Sequence, residues 1–397
     1  MTDLKLEFWG DMQKTLWVEN SALNALSNTQ LEGLISTDGR KAHKPIISLP
    51  HSGVYIPYQD INFNRKTASK QTLEVDTFSY AADEIDITDK NQTRYPLTET
   101  AASDQMRTHN NKIEQLVMSK IVGATHVIQG AGNTTLTIDT TSIFDVFEES
   151  DTKLGSTDAP FENRIAIFGP HVISTIRKAK SQRETGMGDM VLSNGVVGNW
   201  NGYRIIQNNN LPYTATLKMA TLATATDTVT IAGVTFEFVA ALANVSSTSY
   251  IAVLIGNDAA ATRLNFKNAV IGDATSKGTT WAEATGSVGT NHRFVLSEKR
   301  GISITNAEDM VLTGFGDIVV SEGLTAVADV WSAQEQTAVM GVAGMIDLVL
   351  QIQEIETTKK EKGFADLVKS LIGVGTYMFD DGARCAVRVR VNASAWK

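Results

Sequence analysis

The sequence predicts an α+β protein: one long helix laid against β-rich surroundings, with an extended loop before it. Three observations carry this. Residues 98–122 place Ala102, Met106, His109, Ile113, Val117 and Ile121 at helical spacing over a span of about 35 Å. Thirty glycines stand against seven prolines, and Thr, Ala, Val and Asn abound, as in turn-rich β-structure. Residues 37–80 hold three of those prolines, Pro45, Pro50 and Pro57, in an extended stretch with alternating apolar positions.

The elements follow in chain order. Leu4 to Leu34 has a rough helical stripe that includes Trp9 and Trp17, two large side chains in need of burial near a chain end. Residues 1–36 are therefore expected to form an arm. The loop at 37–80 opens on an Asp38-Gly39 turn, carries Arg65, Lys66 and Lys70 at its polar tip, and returns through the alternating strand Leu73 to Tyr80. A loop this long has a task outside its own compact body. Asp83, Glu84, Asp86 and Asp89 then form an acidic stretch, whose ordinary reading is a solvated face rather than a cation site. The helix at 98–122 begins at Thr98, a capping residue, and ends at Gly123. Its apolar stripe is narrow. Ser103, Gln105, Asn110, Lys112 and Glu114 leave a polar back that suits a neighbouring subunit.

Farther on, 142–153 reads as a helix, 163–168 as a buried strand, 171–181 as a helix, and Asn201-Gly202 as the turn of a hairpin. Residues 214–324 read as an inserted β-rich domain with its own core and one helix at 258–271. Residues 331–355 read as a second long helix through Ala338, Val342, Met345, Leu348, Val349 and Ile352. The segment 363–371 is expected to pack by Phe364, Leu367 and Val368. The chain then ends in a strand with Cys385, Val387, Val389 and Val391 on one face and Arg384, Arg388 and Arg390, ion-paired, on the other.

Chemistry is sparse. The six histidines (His43, His51, His109, His126, His171, His292) have no metal-ligand spacing, and the single cysteine excludes an intrachain disulfide. No phosphate loop or nucleophile elbow occurs, and Gly186-Met187-Gly188 lacks the strand and third glycine of a dinucleotide site. No catalytic residue, cofactor or metal is expected, and His109 reads as an interior or interface histidine. The formal charge of −9 argues against sequence-reading of nucleic acid. Neither a signal peptide nor a membrane-spanning run is expected.

The element order, and three phrases within it, resemble the major capsid proteins of tailed double-stranded DNA bacteriophages, with the Hong Kong 97-type fold. The phrases are DAPFENRIAIFGPHVISTI (158–176), SNGVVGNWNGYRIIQNNNLP (193–212) and EIETTKKEKGFADLVKSLIGVGTYMFDDGARCAVRVRV (354–391). The resemblance covers nearly all of the chain except the insert. It implies an N-terminal arm (1–36), an extended loop (37–80), a peripheral domain (81–160 and 376–397), an axial domain (161–213 and 325–375) and the insert (214–324) on the outer surface. It also implies a shell subunit that self-assembles into pentamers and hexamers, encloses DNA without reading it, and expands on maturation.

The expected partners are copies of itself, a separate scaffolding protein, a portal protein, a decoration protein and packaged DNA, but no membrane. The expected location is the virion, after assembly in the host cytoplasm. Inter-subunit contacts are expected at Trp9, Trp17, Arg65, Lys66, Lys70, Asp83, Glu84, Asp86 and Asp89. Some members of that family join a loop lysine to a neighbour's asparagine; Lys66 and Lys70 lie in the loop, but the sequence identifies no partner, so no such bond is expected. Other readings are a tail-tube or adaptor protein, an encapsulin-like compartment shell, or an enzyme with an unrecognised site.

Overall fold

A computed structural model describes residues 22–31, 40–47, 54, 57–58, 60, 65–66, 68–92, 97–131, 134–181, 198–286, 301–304, 309–315, 319–326, 329–360 and 363–393. They form two compact units. Leu26–Lys120 and Gly344–Gly382 belong to the first, and Ile121–Ala343 and Ala383–Lys397 to the second.

The first unit is built on a four-stranded sheet in the order Ser27–Asn28, Ile346–Lys359, Ala365–Tyr377, Thr77–Asp86. The helix Leu97–Ser119, the spine, lies on one face and confirms the expected long helix. Its buried row is Gln105, His109, Ile113 and Val117, with Glu114 and Met118 alongside. This row is turned from the expected stripe. Ala102 and Met106 are only half-buried, whereas Gln105 and Glu114, read from sequence as polar surface, are inside. Thr98's side chain, the expected cap, lies outside the described residues.

Among the described residues, a hairpin covers one end of the other sheet face. There the hairpin of Lys41–Ile47 and Ala68–Glu74 roots through Ala42, Leu73 and Val75, which cluster with Val349, Phe379 and the half-buried Leu31. The Lys44 ammonium lies 3.1 Å from Asp381 and 5.2 Å from the Phe379 ring centroid. The Asp380 amide donates to Gln71 Oε1 at 3.2 Å. Gly375 is where the strand and the hairpin root meet: a Cβ there would stand 2.8 Å from the Glu74 carbonyl oxygen.

The second unit centres on a larger sheet. Among the described residues it has nine strands. Trp331–Val342 lies at its middle, pairing with Pro212–Lys218, Arg164–Phe168 and Ala386–Asn392. Helices Ser142–Gly155 and Pro170–Ser181 bury Ile143, Phe147, Val172, Ile173 and Ile176 against it. The expected hairpin is present, with Asn199–Trp200 and Tyr203–Gln207 joined at Asn201 and Gly202, both at positive φ. A five-stranded sheet at 228–323 carries the helix Ala259–Ile271. Asp258 caps that helix by accepting from the Ala261 amide at 2.7 Å, and Gly272 closes it at φ 68.

Several expectations are corrected. Residues 331–355 are not a helix but two strands, Trp331–Val342 and Ile346–Lys359, turned at Gly344 with φ 78. The return strand breaks at Val75-Asp76 into Ala68–Glu74 and Thr77–Asp86. In the expected arm helix, the described part is helical only over Leu23–Leu26; Trp9, Trp17 and most of the arm lie outside the described residues. Phe364 does not pack inward; it is 82% exposed.

The five-stranded part of the insert has no core separate from the larger sheet, two of whose strands, Pro212–Lys218 and Asp309–Phe315, themselves lie almost wholly within 214–324. Phe236, Phe238, Phe266 and Trp281 form one cluster with Tyr213, Leu217, Met310, Leu312 and Trp331 of the larger sheet. Two buried aspartates pin its entry and exit. Asp227 takes the amides of Thr224 and Thr325, and Asp329 takes those of Ala220 and Thr221. The strands at 346–377 hydrogen-bond toward Thr77–Asp86 and sit with the spine, while Ala386–Asn392 joins the larger sheet.

Candidate assembly surfaces

The residues expected to meet neighbours fall mainly on the hairpin and on the edge strand Thr77–Asp86. Arg65, Lys66 and Lys70 are all exposed, with Lys70 opposite Pro45 in the hairpin register. The acidic residues do not form one patch, because strand alternation sends them to opposite faces. Asp83 faces the spine and accepts from Gln105 Nε2 at 2.8 Å. Glu84 faces away and pairs with Lys360 at 2.6 Å. Asp86 caps the short helix that follows, taking the Thr88 amide at 2.8 Å and its hydroxyl at 2.6 Å. Asp89 lies in that helix's first turn.

Between the ion pairs Lys360–Glu84 and Lys369–Glu356 (2.8 Å), the sheet face away from the spine carries exposed apolar side chains, with the Arg40 guanidinium 5.4 Å from the Phe78 ring centroid. Tyr80 is 79% exposed, Phe78 41% and Leu371 37%. Tyr80 is directly opposite Leu371 across the strands, and Phe78 is opposite Gly373. Such a strip on an edge strand is a surface that another chain would cover. Sequence reading missed it because the return strand was ended at Tyr80, before its partner was known.

The second unit holds two buried charge sites that lock its sheet. Glu335 accepts from Arg388 Nη2 at 2.7 Å and Arg390 Nε at 2.9 Å, which confirms ion pairing for these two arginines. Asp151 accepts from Arg164 and, at 3.2 Å, from the Tyr203 hydroxyl, whose ionisation is pushed up first by burial. Lys180 is also buried, 3.3 Å from the Asn199 carbonyl and 5.3 Å from the Trp200 ring, and burial lowers its pKa. An open cleft of about 380 Å³ beside it is lined by Glu148, Asn199, Trp200, Asn201 and Gly202. Among the described residues, no three His, Cys, Asp or Glu side chains group as metal ligands, and no helix is long and apolar enough to cross a membrane. These charge clusters tie one element to the next. In none of them does a nucleophile meet a base and an oxyanion donor.

No family model and no curated protein matches the chain. Solved structures match it almost end to end. A structure from Mycobacterium phage Che8 is 13% identical, with a TM-score of 0.57 over 98% of this chain and 97% of that one. The capsid structure of Cyanophage P-SCSP1u is 11% identical, with a TM-score of 0.56 over 98% and 93%. The asymmetric unit of the bacteriophage PhiM1 mature capsid is 13% identical, with a TM-score of 0.50 over 97% and 91%. The chain thus has the fold of phage capsid subunits. That is the α+β, Hong Kong 97-type architecture its sequence resembles.

Proposed function

We propose that this chain is the structural subunit of an icosahedral phage head, assembling into pentamers and hexamers around double-stranded DNA. The observation that carries the reading is the capsid-like fold over 97–98% of the chain. The surfaces support it. A hairpin with exposed cations stands off one end of the sheet, and an exposed apolar strip flanked by Glu84 and Glu356 lies beside its root. In a heterologous ring, each subunit offers one such surface and receives the other, so many weak contacts add up to a closed shell. Arg65, Lys66 and Lys70 steer docking toward a neighbour's acidic edge more than they add affinity.

On this reading the unit with the spine is the peripheral domain, the other unit is axial, and the insert lies on the outer surface. The spine bends when the shell expands. A separate scaffolding protein, a portal protein and a decoration protein complete the assembly in the host cytoplasm. The net charge of −9 keeps DNA from adhering to the wall. The protein acts as structure and not as an enzyme.

The test is electron microscopy of the protein expressed alone and with its genomic neighbours. Closed shells containing DNA, or hexamer sheets, are expected. Shells that load protein cargo would instead indicate a compartment, and stacked rings of fixed bore a tail tube. The triple variant R65E/K66E/K70E is expected to fold normally and assemble at least tenfold more slowly at low salt, since steering of this kind is worth one to three decades in rate. Unchanged assembly would remove the hairpin's electrostatic role.

A further inference from the structure

We infer that the N-terminal half of the spine helix is held on its sheet by a pH-sensitive polar seam whose control point is His109. The inference rests on packing inside one unit and stands apart from the shell reading.

The seam is a chain of side chains with assigned directions. Gln105 Nε2 donates to the Val368 carbonyl at 2.9 Å and to Asp83 Oδ2 at 2.8 Å, which fixes the amide's orientation. Gln105 Oε1 therefore accepts, and it takes the Ser370 hydroxyl at 2.8 Å. The Ser370 oxygen is left to accept from His109 Nε2, 2.9 Å away. Nε2 thus carries the ring proton, and Nδ1 is the bare nitrogen. Nδ1 is buried without a partner, on a residue only 1% exposed. One turn farther on, the contact becomes apolar through Ile113, Val117 and Met118. The two halves of the spine are therefore held differently. The C-terminal half is held chiefly by apolar burial, with Glu114 and Gln115 also inside. The N-terminal half relies on a neutral imidazole.

A second proton on this ring would sit on Nδ1 with nothing to receive it. Among the described residues, the charged groups on this side of the sheet do not offer an acceptor. Asp83 of the edge strand is engaged by Gln105, and Asp366 of the neighbouring strand pairs with Lys90 at 2.7 Å. Glu114 of the spine is itself buried, and in register the 346–359 strand sets Ile355 opposite Ser370 and Gln353 opposite Ile372, with Leu348 and Leu350 farther along. Burial accordingly lowers the His109 pKa. The sign follows. Below the ordinary histidine value near 6.5, an opened seam binds a proton that the closed seam refuses, so acid favours opening and neutral pH favours closure. One pH unit below that value, the opened fraction rises by at most about tenfold, the limit for a closed ring that takes no proton.

Hydrogen exchange of the full chain at pH 7.5 and 5.5, corrected for intrinsic exchange, tests this. The expected result is more opening for amides 101–109 at pH 5.5, by up to about tenfold, with a smaller change for amides 113–119. H109Q keeps an N–H donor and cannot titrate, so it should lose the pH dependence. S370A should open the same amides at both pH values. Equal acid sensitivity in H109Q, or equal opening along the whole helix, would overturn the inference. Should H109Q fail to fold, proton NMR of the native ring decides. A ring still neutral at pH 5.5 supports the seam. Titration at the ordinary value with no change in exchange refutes it.

Discussion

Gly375→Ala and Gly155→Ala are the same chemical change, and the structure assigns them opposite signs. At Gly375 a Cβ would stand 2.8 Å from the Glu74 carbonyl oxygen, 3.0 Å from Leu73 Cδ2 and 3.1 Å from Val75 Cα. Two of these are backbone atoms, so relief requires the whole hairpin root to move by several tenths of an ångström. Overpacking of this kind costs about 1–3 kcal/mol. Removing glycine's extra unfolded-state freedom returns about 0.5–1 kcal/mol. The net expectation is a loss of about 1–2 kcal/mol for G375A. At Gly155, the last residue of its helix, a Cβ would meet nothing within 4 Å. Only the entropic gain remains, so G155A should stabilise by about 0.5–1 kcal/mol.

Urea unfolding, followed by exchange protection of the two units separately, measures both. G375A should also expose the hairpin strands to proteolysis and lower the assembly rate, because the displaced root carries the basic tip with it. G155A should leave both unchanged. The reasoning fails if the two variants shift stability in the same direction, or if G375A matches the native chain.

Two further changes probe the second unit. Glu335→Ala takes the carboxylate from two guanidinium groups whose side chains are 21% and 24% exposed, leaving Arg390 the Gln129 Oε1 at 3.0 Å, and should cost about 3 kcal/mol, whereas Glu335→Gln, which keeps an acceptor, should cost less; calorimetry of both variants checks the order. Phe266→Ala removes a ring that lies 5.4 Å and 5.6 Å from Phe236 and Phe238, for about 3–5 kcal/mol. Because the core is shared, exchange protection should fall in Pro212–Lys218, Asp309–Phe315 and Trp331–Val342 of the larger sheet as well as in the five-stranded sheet of the insert. Loss confined to the five-stranded sheet would show that its core is separate.

The sequence by itself determined the elements whose signals are local. The spine, the helices at 142–155 and 170–181, the Asn201-Gly202 hairpin and the Asp258-to-Gly272 helix are each marked by spacing, caps or turn residues within a few positions. The capsid-like order of these elements was legible for the same reason. Tertiary structure decided where burial erases the local period. From Gln334 to Met340 the central strand is buried on both faces, so its apolar residues follow no two-residue alternation, and a helical spacing fits them by accident. It also decided the partners. The alternating Arg388 and Arg390 pointed to ion pairing, but their acceptor, Glu335, lies 53 and 55 residues earlier and was hidden inside the misread helix. Gln105 and Glu114 looked like surface because nothing near them in sequence records the sheet that covers them. Only that sheet, and Ser370 within it, turns a polar residue on a helix into part of an interior seam.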